Sequence, residues 1–424
     1  KTGLVLATPL SPDPVVGSGR LTQWCRHLPE LGWKPHVLCR HYGYTATPDE
    51  LAEHVHQHVE VRYFNPPSAG IDSHEHTSGL QRGQAWASVR NSAVVQRVTR
   101  DTAGRLMVPD VSIRFWRGAR SRALRAVDEL RPAVVLTSSP PHSVHDVGKW
   151  LRHERPQLRW VANLRDPYLI DPRYGARRLA WLRGEAHRAY ERAIYETADL
   201  VTHAIPIQAR WARRQYVGAQ QKIRILTNGF PDSLLTNASA TAARDRSRRT
   251  ICVMGATDPA QRSQLVRVVR NLIDVGEDVD VCFVGPEGAD DTELATALAD
   301  RFTATGLVPH HIAMGHLRTA DVLVGVLPEY RSRFMGISSK LFEFLACGKP
   351  VVVINPTRPD RQLARGLHGI RLTTTPSDAS LKADLQWALS PQACPPPAQT
   401  ESVQRRFSRR TKAASLAGLL DELV

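Results

Sequence analysis

The sequence predicts an α/β protein built from two doubly wound, parallel-sheet domains. Short apolar runs suited to buried strands alternate with helical patterns along the chain. This alternation is interrupted at the turn Asn228-Gly229, which Pro231 follows, and then begins again. The length of 424 residues is sufficient for two domains with separate cores.

The first half of the chain contains five strand patterns. We predict strands at 4–7, 36–39, 59–64, 133–137 and 159–163, with helices at 19–31 and 144–152. Residues 66–110 break the alternation and are rich in Gly, Ser and His, which is typical of an excursion that shapes a ligand site. The predicted first domain spans residues 1–228.

The second half repeats the pattern, and the predicted second domain spans residues 229–401. Its predicted strands are 251–254, 280–284, 322–326 and 351–354. The tail 402–424 is predicted as one amphipathic helix, with Phe407, Ala414, Leu420 and Leu423 on a common stripe.

Composition favours a globular protein of the cytoplasm. Hydrophobic residues make up 42% and charged residues 23% of the chain, and no apolar run approaches the roughly 20 residues needed to cross a bilayer. The segment Leu4-Val5-Leu6 is typical of a first strand, not of a cleavable signal. The six cysteines are scattered, as expected for reduced thiols.

The chain is basic, with 56 Lys and Arg against 41 Asp and Glu, a net charge of +15. This charge favours anionic partners such as nucleotides or an anionic membrane surface. Arginine-rich stretches at 114–125 and 405–410 contribute to it, although a solvated surface explains them equally well. Nucleic acid is not expected, because no module that binds it is recognisable.

The segment 336–354 has the pattern of a phosphate site. Gly336 and the N-cap candidates Ser338 and Ser339 precede a helix with Lys340 in its first turn, and Gly348 ends that helix before a buried strand. Free N–H groups and the helix dipole favour an anion at a helix N-terminus. The positive charge of a lysine is unfavourable at this end of the helix dipole, unless a bound anion compensates for it. The alternative is an ordinary helix-to-strand corner.

The helix itself has apolar residues on one face, namely Leu341, Phe344 and Leu345, and we expect Glu343 to point elsewhere. The run Ser-Lys-Leu-Phe-Glu-Phe-Leu-Ala-Cys-Gly-Lys-Pro-Val at 339–351 resembles the donor-site helix of GT-B glycosyltransferases of the family-4 type, also called group 1. It is closest to the bacterial branch with the pattern Ser-Lys-Leu-x-Glu-x-x-Ala-x-Gly-x-Pro-Val.

This resemblance implies two Rossmann-like domains facing a central cleft, with the last helix crossing back onto the first domain. It implies that the loop and helix around Ser339 hold the diphosphate of a nucleotide sugar, and that Glu343 holds the ribose hydroxyls. Further donor-binding candidates follow from matching loops. They are Gly17 and Gly19 after the first strand, Gly255 and Arg262 after the strand 251–254, and Leu307 and Val308.

The loop that contains Gly17 and Gly19 also excludes an alternative. A dinucleotide fingerprint would need a glycine where Thr22 stands and an acid at the end of the second strand, where Cys39-Arg40 stands. NAD binding is therefore disfavoured, although a plain turn remains an alternative reading of the loop.

Catalytic candidates follow two strands of the first domain. His142 lies in Ser138-Ser139-Pro140-Pro141-His142, and Arg165-Asp166 precedes Pro167-Tyr168; both runs resemble the same branch, with Tyr168 in place of its tryptophan. Open α/β sheets bind ligands at the carboxyl ends of their strands. Asp166 would orient or deprotonate an acceptor hydroxyl, and Arg165 would bind an acceptor phosphate. The alternative is a pair that clamps a loop.

The chain departs from the family pattern at Met335, where many relatives have a glutamate that handles the transferred sugar, and at Ala256, where many have an arginine. The alternating His54, His56 and His58, and the run His74-Glu75-His76, have no supporting acid, so no metal site is expected.

The resemblance implies transfer of a hexose from a UDP- or GDP-linked sugar to an acceptor hydroxyl, with retention at the anomeric carbon and without metal or cofactor. The acceptor would be a sugar, a glycolipid or a small molecule, and the enzyme would be cytoplasmic, with peripheral contact at the inner face of the membrane. Two alternatives remain open. One is a GT-B enzyme with another reaction, such as nucleotide-sugar epimerisation or C–N coupling. The other is a non-catalytic basic protein that binds nucleic acid or anionic membrane.

Overall fold

The computed structural model describes residues 1–7, 18–40, 59–64, 107–110, 112–169, 180–236, 248–254, 265, 267–270, 273, 276–285, 299–306, 308–327, 336–374 and 377–424. The chain divides into two compact units. Unit 1 comprises Lys1–Ala204, Gln208–Leu226 and Ala414–Val424, and unit 2 comprises Ile205–Ile207 and Thr227–Ala413.

Unit 1 is built on a parallel sheet of seven strands in the order β3-β2-β1-β4-β5-β6-β7. The strands are β1 (Thr2–Ala7), β2 (Lys34–Cys39), β3 (Glu60–Tyr63), β4 (Val134–Ser139), β5 (Arg159–Leu164), β6 (Leu200–His203) and β7 (Ile223–Ile225). The first five lie where the hydrophobic pattern predicts strands. β6 and β7 were not predicted.

The helices of unit 1 pack on this sheet around buried tryptophans such as Trp116 and Trp160. They are α1 (Ser18–His27), α2 (Ile113–Leu130), α3 (Val144–Glu154), α4 (Ala180–Thr197) and α5 (Pro206–Gln215). The helix predicted at 19–31 is wrong in its last four residues, because α1 ends at His27. Pro29 has no backbone N–H, and a short 3₁₀ helix at Pro29–Leu31 replaces the last α-helical turn.

Unit 2 is built on a parallel sheet of six strands in the order β10-β9-β8-β11-β12-β13. The strands are β8 (Arg249–Met254), β9 (Val279–Val284), β10 (Phe302–Ala304), β11 (Val322–Val326), β12 (Val351–Ile354) and β13 (Ile370–Thr373). The bounds of β11 and β12 are those predicted. β10 and β13 were not predicted. Both sheets are parallel and doubly wound, as the sequence predicts.

The described helices of unit 2 are α6 (Ser233–Thr236), α7 (His310–Thr319), α8 (Ser339–Cys347), α9 (Arg358–Ala364), α10 (Asp378–Ala388) and α11 (Pro397–Phe407), followed by α12 (Arg409–Asp421). α12 contributes its first residues to unit 2 and the rest to unit 1. In unit 1, the Asp421 carboxylate accepts hydrogen bonds from Lys1 Nζ at 2.8 Å and from Trp33 Nε1 at 3.1 Å.

The prediction of one helix over 402–424 is wrong, because the backbone at Ser408 is extended and separates α11 from α12. Phe230 pairs with the break through two backbone hydrogen bonds, to Phe407 O and from Arg409 N. The Ser408 hydroxyl accepts from Thr411 N at 3.1 Å and so caps the new helix. On the predicted stripe, Phe407 and Leu420 are buried, but Ala414 is exposed.

In the part of the chain that the structure describes, no helix is both long enough and apolar enough to cross a bilayer.

Candidate functional site

The helix α8 begins and ends at the residues that the sequence predicts. Ser338 is the N-cap residue with extended backbone angles, although its side chain makes no capping hydrogen bond. Ser339 is exposed and Lys340 is half-buried. At the other end, Gly348 takes the left-handed conformation with φ of 64°. The predicted start and end of this helix are therefore confirmed.

A buried carboxylate from the next helix supports the loop before α8. Asp360, at the start of α9, accepts from Ser338 N and from Thr357 N, both at 2.9 Å. The Thr357 hydroxyl donates to Gly336 O at 2.7 Å. Burial raises the pKa of Asp360, and these hydrogen bonds oppose that rise. Sequence reasoning missed Asp360, although Thr357 followed three residues later by an acid is a capping pattern.

Helical spacing places Glu343 on a different face of α8 from Leu341, Phe344 and Leu345, as expected, but that face is buried as well. All six residues from Leu341 to Ala346 are buried, because α8 packs against helices α7 and α11 as well as strand β11. The Glu343 side chain is 6% exposed, and its Oε1 lies 3.2 Å from Nε2 of His310. Glu343 therefore faces the neighbouring helix α7 and not open solvent.

His310 is the first residue of α7 and follows the loop that contains the donor-binding candidates Leu307 and Val308. In this loop Gly306 has φ of 62° and forms a bridge with Gly285. Thr305 N donates to Phe283 O at 2.9 Å. Val308 is half-buried against the hydrophobic core. The loop therefore leads directly to the histidine that contacts Glu343.

In unit 1, polar side chains line up at the carboxyl ends of neighbouring strands. Ser138, Asn163 and Thr202 occupy matching register positions on β4, β5 and β6. The Asn163 amide accepts from the Ser138 hydroxyl at 3.0 Å and donates to Thr202 Oγ1 at 2.6 Å. Arg20, from α1, donates to Asn163 Oδ1 at 3.4 Å and to Leu226 O at 2.9 Å. This row includes Arg20, which follows the predicted Gly19.

The predicted catalytic residues lie just beyond the same strand ends. Arg165 Nη2 and Asp166 Oδ2 are 3.2 Å apart, with side chains 16% and 36% exposed. His142 is buried, and its ring centroid lies 4.7 Å from that of Tyr168. The structure thus brings Arg165 and Asp166 together as an ion pair and places His142 in the interior beside Tyr168.

Sequence reasoning missed Arg20, Asn163, Thr202 and His310 as members of these groups. Asn163 was within reach, since it directly precedes Leu164-Arg165-Asp166 at the end of a predicted strand. His310 had no distinguishing signal, because its partner Glu343 lies 33 positions away along the chain.

Several predicted residues lie outside the described residues: Gly17, Gly255, Arg262, Leu307, Met335, His54, His56, His58 and His74-Glu75-His76. Within the described ranges, no group of three or more His, Cys, Asp or Glu side chains is arranged to hold a metal ion.

Comparison with known proteins gives a family match for part of the chain and a shared fold for nearly all of it. Residues 248–389 match the family model described as glycosyl transferases group 1. Comparison with curated proteins by sequence gives no match.

Solved structures resemble the chain over nearly its whole length. Sucrose-phosphate synthase from Thermosynechococcus elongatus is 15% identical, with a TM-score of 0.63 and coverage of 100% of this chain and 99% of that protein. HepE from Anabaena, in complex with UDP and glucose, is 15% identical, with a TM-score of 0.62 and coverage of 99% of each chain.

A third structure has a different reaction in its name. It is a UDP-N-acetylglucosamine 2-epimerase from Listeria monocytogenes, described as putative, which is 10% identical with a TM-score of 0.57 and coverage of 98% of this chain and 94% of that protein. At these identities the likeness shows the shared fold. The chain is a glycosyltransferase with the GT-B fold, and its residues 248–389 are similar to the family of glycosyl transferases group 1.

Proposed function

We propose that this glycosyltransferase transfers a hexose from a UDP- or GDP-linked sugar to an acceptor hydroxyl, with retention at the anomeric carbon and without a metal or cofactor. The main supporting observation is α8, with an exposed Ser339 and a half-buried Lys340 at its N-terminus and a buried carboxylate, Glu343, one turn further on. The run Ser339–Val351 supports placement in the bacterial Ser-Lys-Leu-x-Glu branch.

The N-terminus of α8 would bind the donor diphosphate. Ser338 N is already paired with Asp360, so the phosphate oxygens would meet the N–H groups further along the first turn and the Lys340 ammonium. As the sugar bond breaks, negative charge grows on the departing diphosphate, and Lys340 and the helix dipole stabilise it. The family pattern adds Arg262 to these cations.

Glu343 would bind the ribose of the donor. An ionised carboxylate only accepts hydrogen bonds, and the two adjacent hydroxyls of ribose are matching donors. Hydrogen bonds to charged groups contribute about 1.5–3 kcal/mol each. Glu343 is therefore expected to add substantially to nucleotide affinity.

Unit 1 would bind the acceptor, which we take to be a sugar, a glycolipid or a small molecule. The Asp166 carboxylate, one-third exposed, would orient the attacking hydroxyl, and Arg165 would hold that carboxylate in place. His142 is buried, so its role would be to support Tyr168, which lies in the same loop as Arg165 and Asp166. A cytoplasmic enzyme in peripheral contact with an anionic membrane surface is part of this proposal.

The test is calorimetric titration of the protein with UDP, GDP and ADP, followed by the variants Lys340→Ala and Glu343→Ala. We expect one nucleotide to bind stoichiometrically and both variants to weaken it by about tenfold or more. Lys349→Ala is the matched control, because Lys349 lies just beyond the opposite end of the same helix. The nucleotide affinity of this variant should equal that of the wild type.

Unchanged affinity in Lys340→Ala and Glu343→Ala would reject the donor site. Incubation with a donor panel then tests the reaction. The anomeric configuration of the product, read by NMR, tests retention, and an assay in the presence of EDTA tests independence from metal. An epimerised nucleotide sugar formed without acceptor would favour the alternative suggested by Met335. Binding with no preference among nucleotides would favour a surface binder.

A further inference from the structure

His310 and Glu343 join two helices at the candidate donor site. His310 begins α7, and its Nε2 lies 3.2 Å from Glu343 Oε1 in the second turn of α8. The His310 side chain is 45% exposed, whereas the Glu343 side chain is 6% exposed. A polar ring that reaches solvent therefore holds one oxygen of a nearly buried carboxylate.

A second group acts on the same carboxylate by charge. Glu343 and Asp232 both attract Arg409, the first residue of α12, and so oppose the fall in the Arg409 pKa that burial causes. The positive charge of Arg409 attracts the Glu343 carboxylate in its buried position. This attraction has little directional preference compared with a hydrogen bond. The orientation of the carboxylate therefore depends mainly on His310.

Orientation matters because ribose presents two adjacent hydroxyls in a fixed arrangement. A carboxylate held by one oxygen binds them without first losing rotamer freedom. A carboxylate without its donor would rotate among several rotamers or pair elsewhere. The benefit of His310 should therefore appear only with ligands that carry both hydroxyls.

We infer that His310 is a positioning residue that orients Glu343 toward the ribose diol, and that it thereby sets a preference for ribonucleoside over 2′-deoxyribonucleoside diphosphates. This inference rests on the proposed donor site at α8.

The test compares the affinities of UDP and 2′-deoxy-UDP, or of the GDP pair if the wild type prefers guanine, by calorimetry. We expect the wild type to prefer the ribonucleotide by about tenfold. In His310→Ala that ratio should fall toward one, through weaker binding of the ribonucleotide and unchanged binding of the deoxy form. His310→Gln, whose side-chain N–H can replace Nε2–H, should keep most of the ratio.

The matched control is His311→Ala, since His311 is the next residue of α7 and is exposed. Its ratio should equal that of the wild type. A double-mutant cycle adds a second readout: if His310 acts through Glu343, then His310→Ala together with Glu343→Ala binds no more weakly than Glu343→Ala alone.

Equal weakening of both ligands in His310→Ala would overturn the inference, and so would additive losses in the double variant. Wild-type protein that binds no nucleotide would overturn both the inference and the donor site. Affinity that depends on Glu343 but not on His310 would overturn the inference alone. If His310→Ala does not fold, His310→Phe, which keeps a ring but has no N–H to donate, replaces it. A ratio that falls toward one then supports the inference, and a ratio equal to that of the wild type overturns it.

Discussion

At the scale of single residues, the clearest titrating group is Glu191 of α4 in unit 1. Its side chain is buried, and its Oε2 accepts a hydrogen bond from the Tyr216 hydroxyl at 2.7 Å. Burial raises the pKa of Glu191 from 4.5 to about 7, and the Tyr216 hydrogen bond opposes this rise. The folded protein therefore holds a proton here that the unfolded chain releases near pH 4.5.

A raised carboxyl pKa lowers stability as pH increases, because the folded state binds more protons than the unfolded state between about pH 4.5 and pH 7. Glu191→Gln removes this titration and keeps an oxygen for Tyr216. We expect the variant to be more stable than the wild type by about 3 kcal/mol at pH 8 and nearly equal to it at pH 4.5.

Thermal unfolding of both proteins at pH 4.5, 6 and 8 measures this difference. Taking the difference between variant and wild type removes the contribution of the other titrating groups, including His203, whose pKa burial lowers to about 4. Glu196→Gln, at an exposed position of the same helix, is the control. A difference that does not grow with pH would contradict the raised pKa of Glu191.

At the scale of the elements, two helix-interior glycines of unit 1 have opposite surroundings. A Cβ added at Gly118 in α2 would meet nothing within 4 Å. At Gly148 in α3 it would lie 2.3 Å from Trp160 Nε1 and 2.9 Å from Thr137 Cγ2. Trp160 Nε1 donates to the Thr137 hydroxyl at 2.9 Å. Gly148 therefore permits close packing of α3 on this pair.

We predict that Gly148→Ala lowers the free energy of unfolding by more than about 2 kcal/mol, because the indole and its hydrogen bond must shift in a fully packed core. Gly118→Ala should raise stability by about 0.5–1 kcal/mol, because alanine has the higher helix propensity. Urea unfolding of the two variants beside the wild type measures both effects. Stabilisation by Gly148→Ala would show that α3 packs less closely on Trp160.

At the scale of the whole molecule, the net charge of +15 has a local concentration on α2. Arg114, Arg117, Arg122 and Arg125 are exposed, and their spacing places them on one face of the helix. The opposite face buries Trp116, Ala119, Ala123 and Ala126 in the core of unit 1. An arginine near an anionic bilayer contributes about 1 kcal/mol to binding, so this face can support peripheral attachment.

We predict that the protein binds vesicles containing phosphatidylglycerol and does not bind vesicles of phosphatidylcholine alone, with binding lost at high salt. The double variant Arg114→Gln and Arg122→Gln should weaken binding by about tenfold or more. Co-sedimentation with vesicles measures the bound fraction of each protein. The charge-matched control is Arg405→Gln with Arg406→Gln, which changes two exposed arginines of α11. Equal loss in both double variants would indicate attraction by net charge alone.

Local patterns predict most strands and the ends of α8. β11 and β12 have the predicted bounds because a run of aliphatic residues in a parallel sheet is buried on both faces and ends where turn residues begin. Gly348 ends α8 because only glycine takes its left-handed conformation at low cost. The strands β6, β7, β10 and β13 were not predicted, because each is short and polar residues interrupt its apolar run, unlike the continuous aliphatic run of β12.

The sequence by itself determined that this chain forms two parallel α/β domains, and that a helix with Ser339, Lys340 and Glu343 follows a strand in the second. Periodicity and capping act over a few residues, so they can be read along the chain. Only the tertiary structure decided that Glu343 is buried against His310, that Asp360 holds the loop before α8, and that Phe230 divides the tail at Ser408. These pairings join residues far apart in sequence, and the packing of whole elements brings them together.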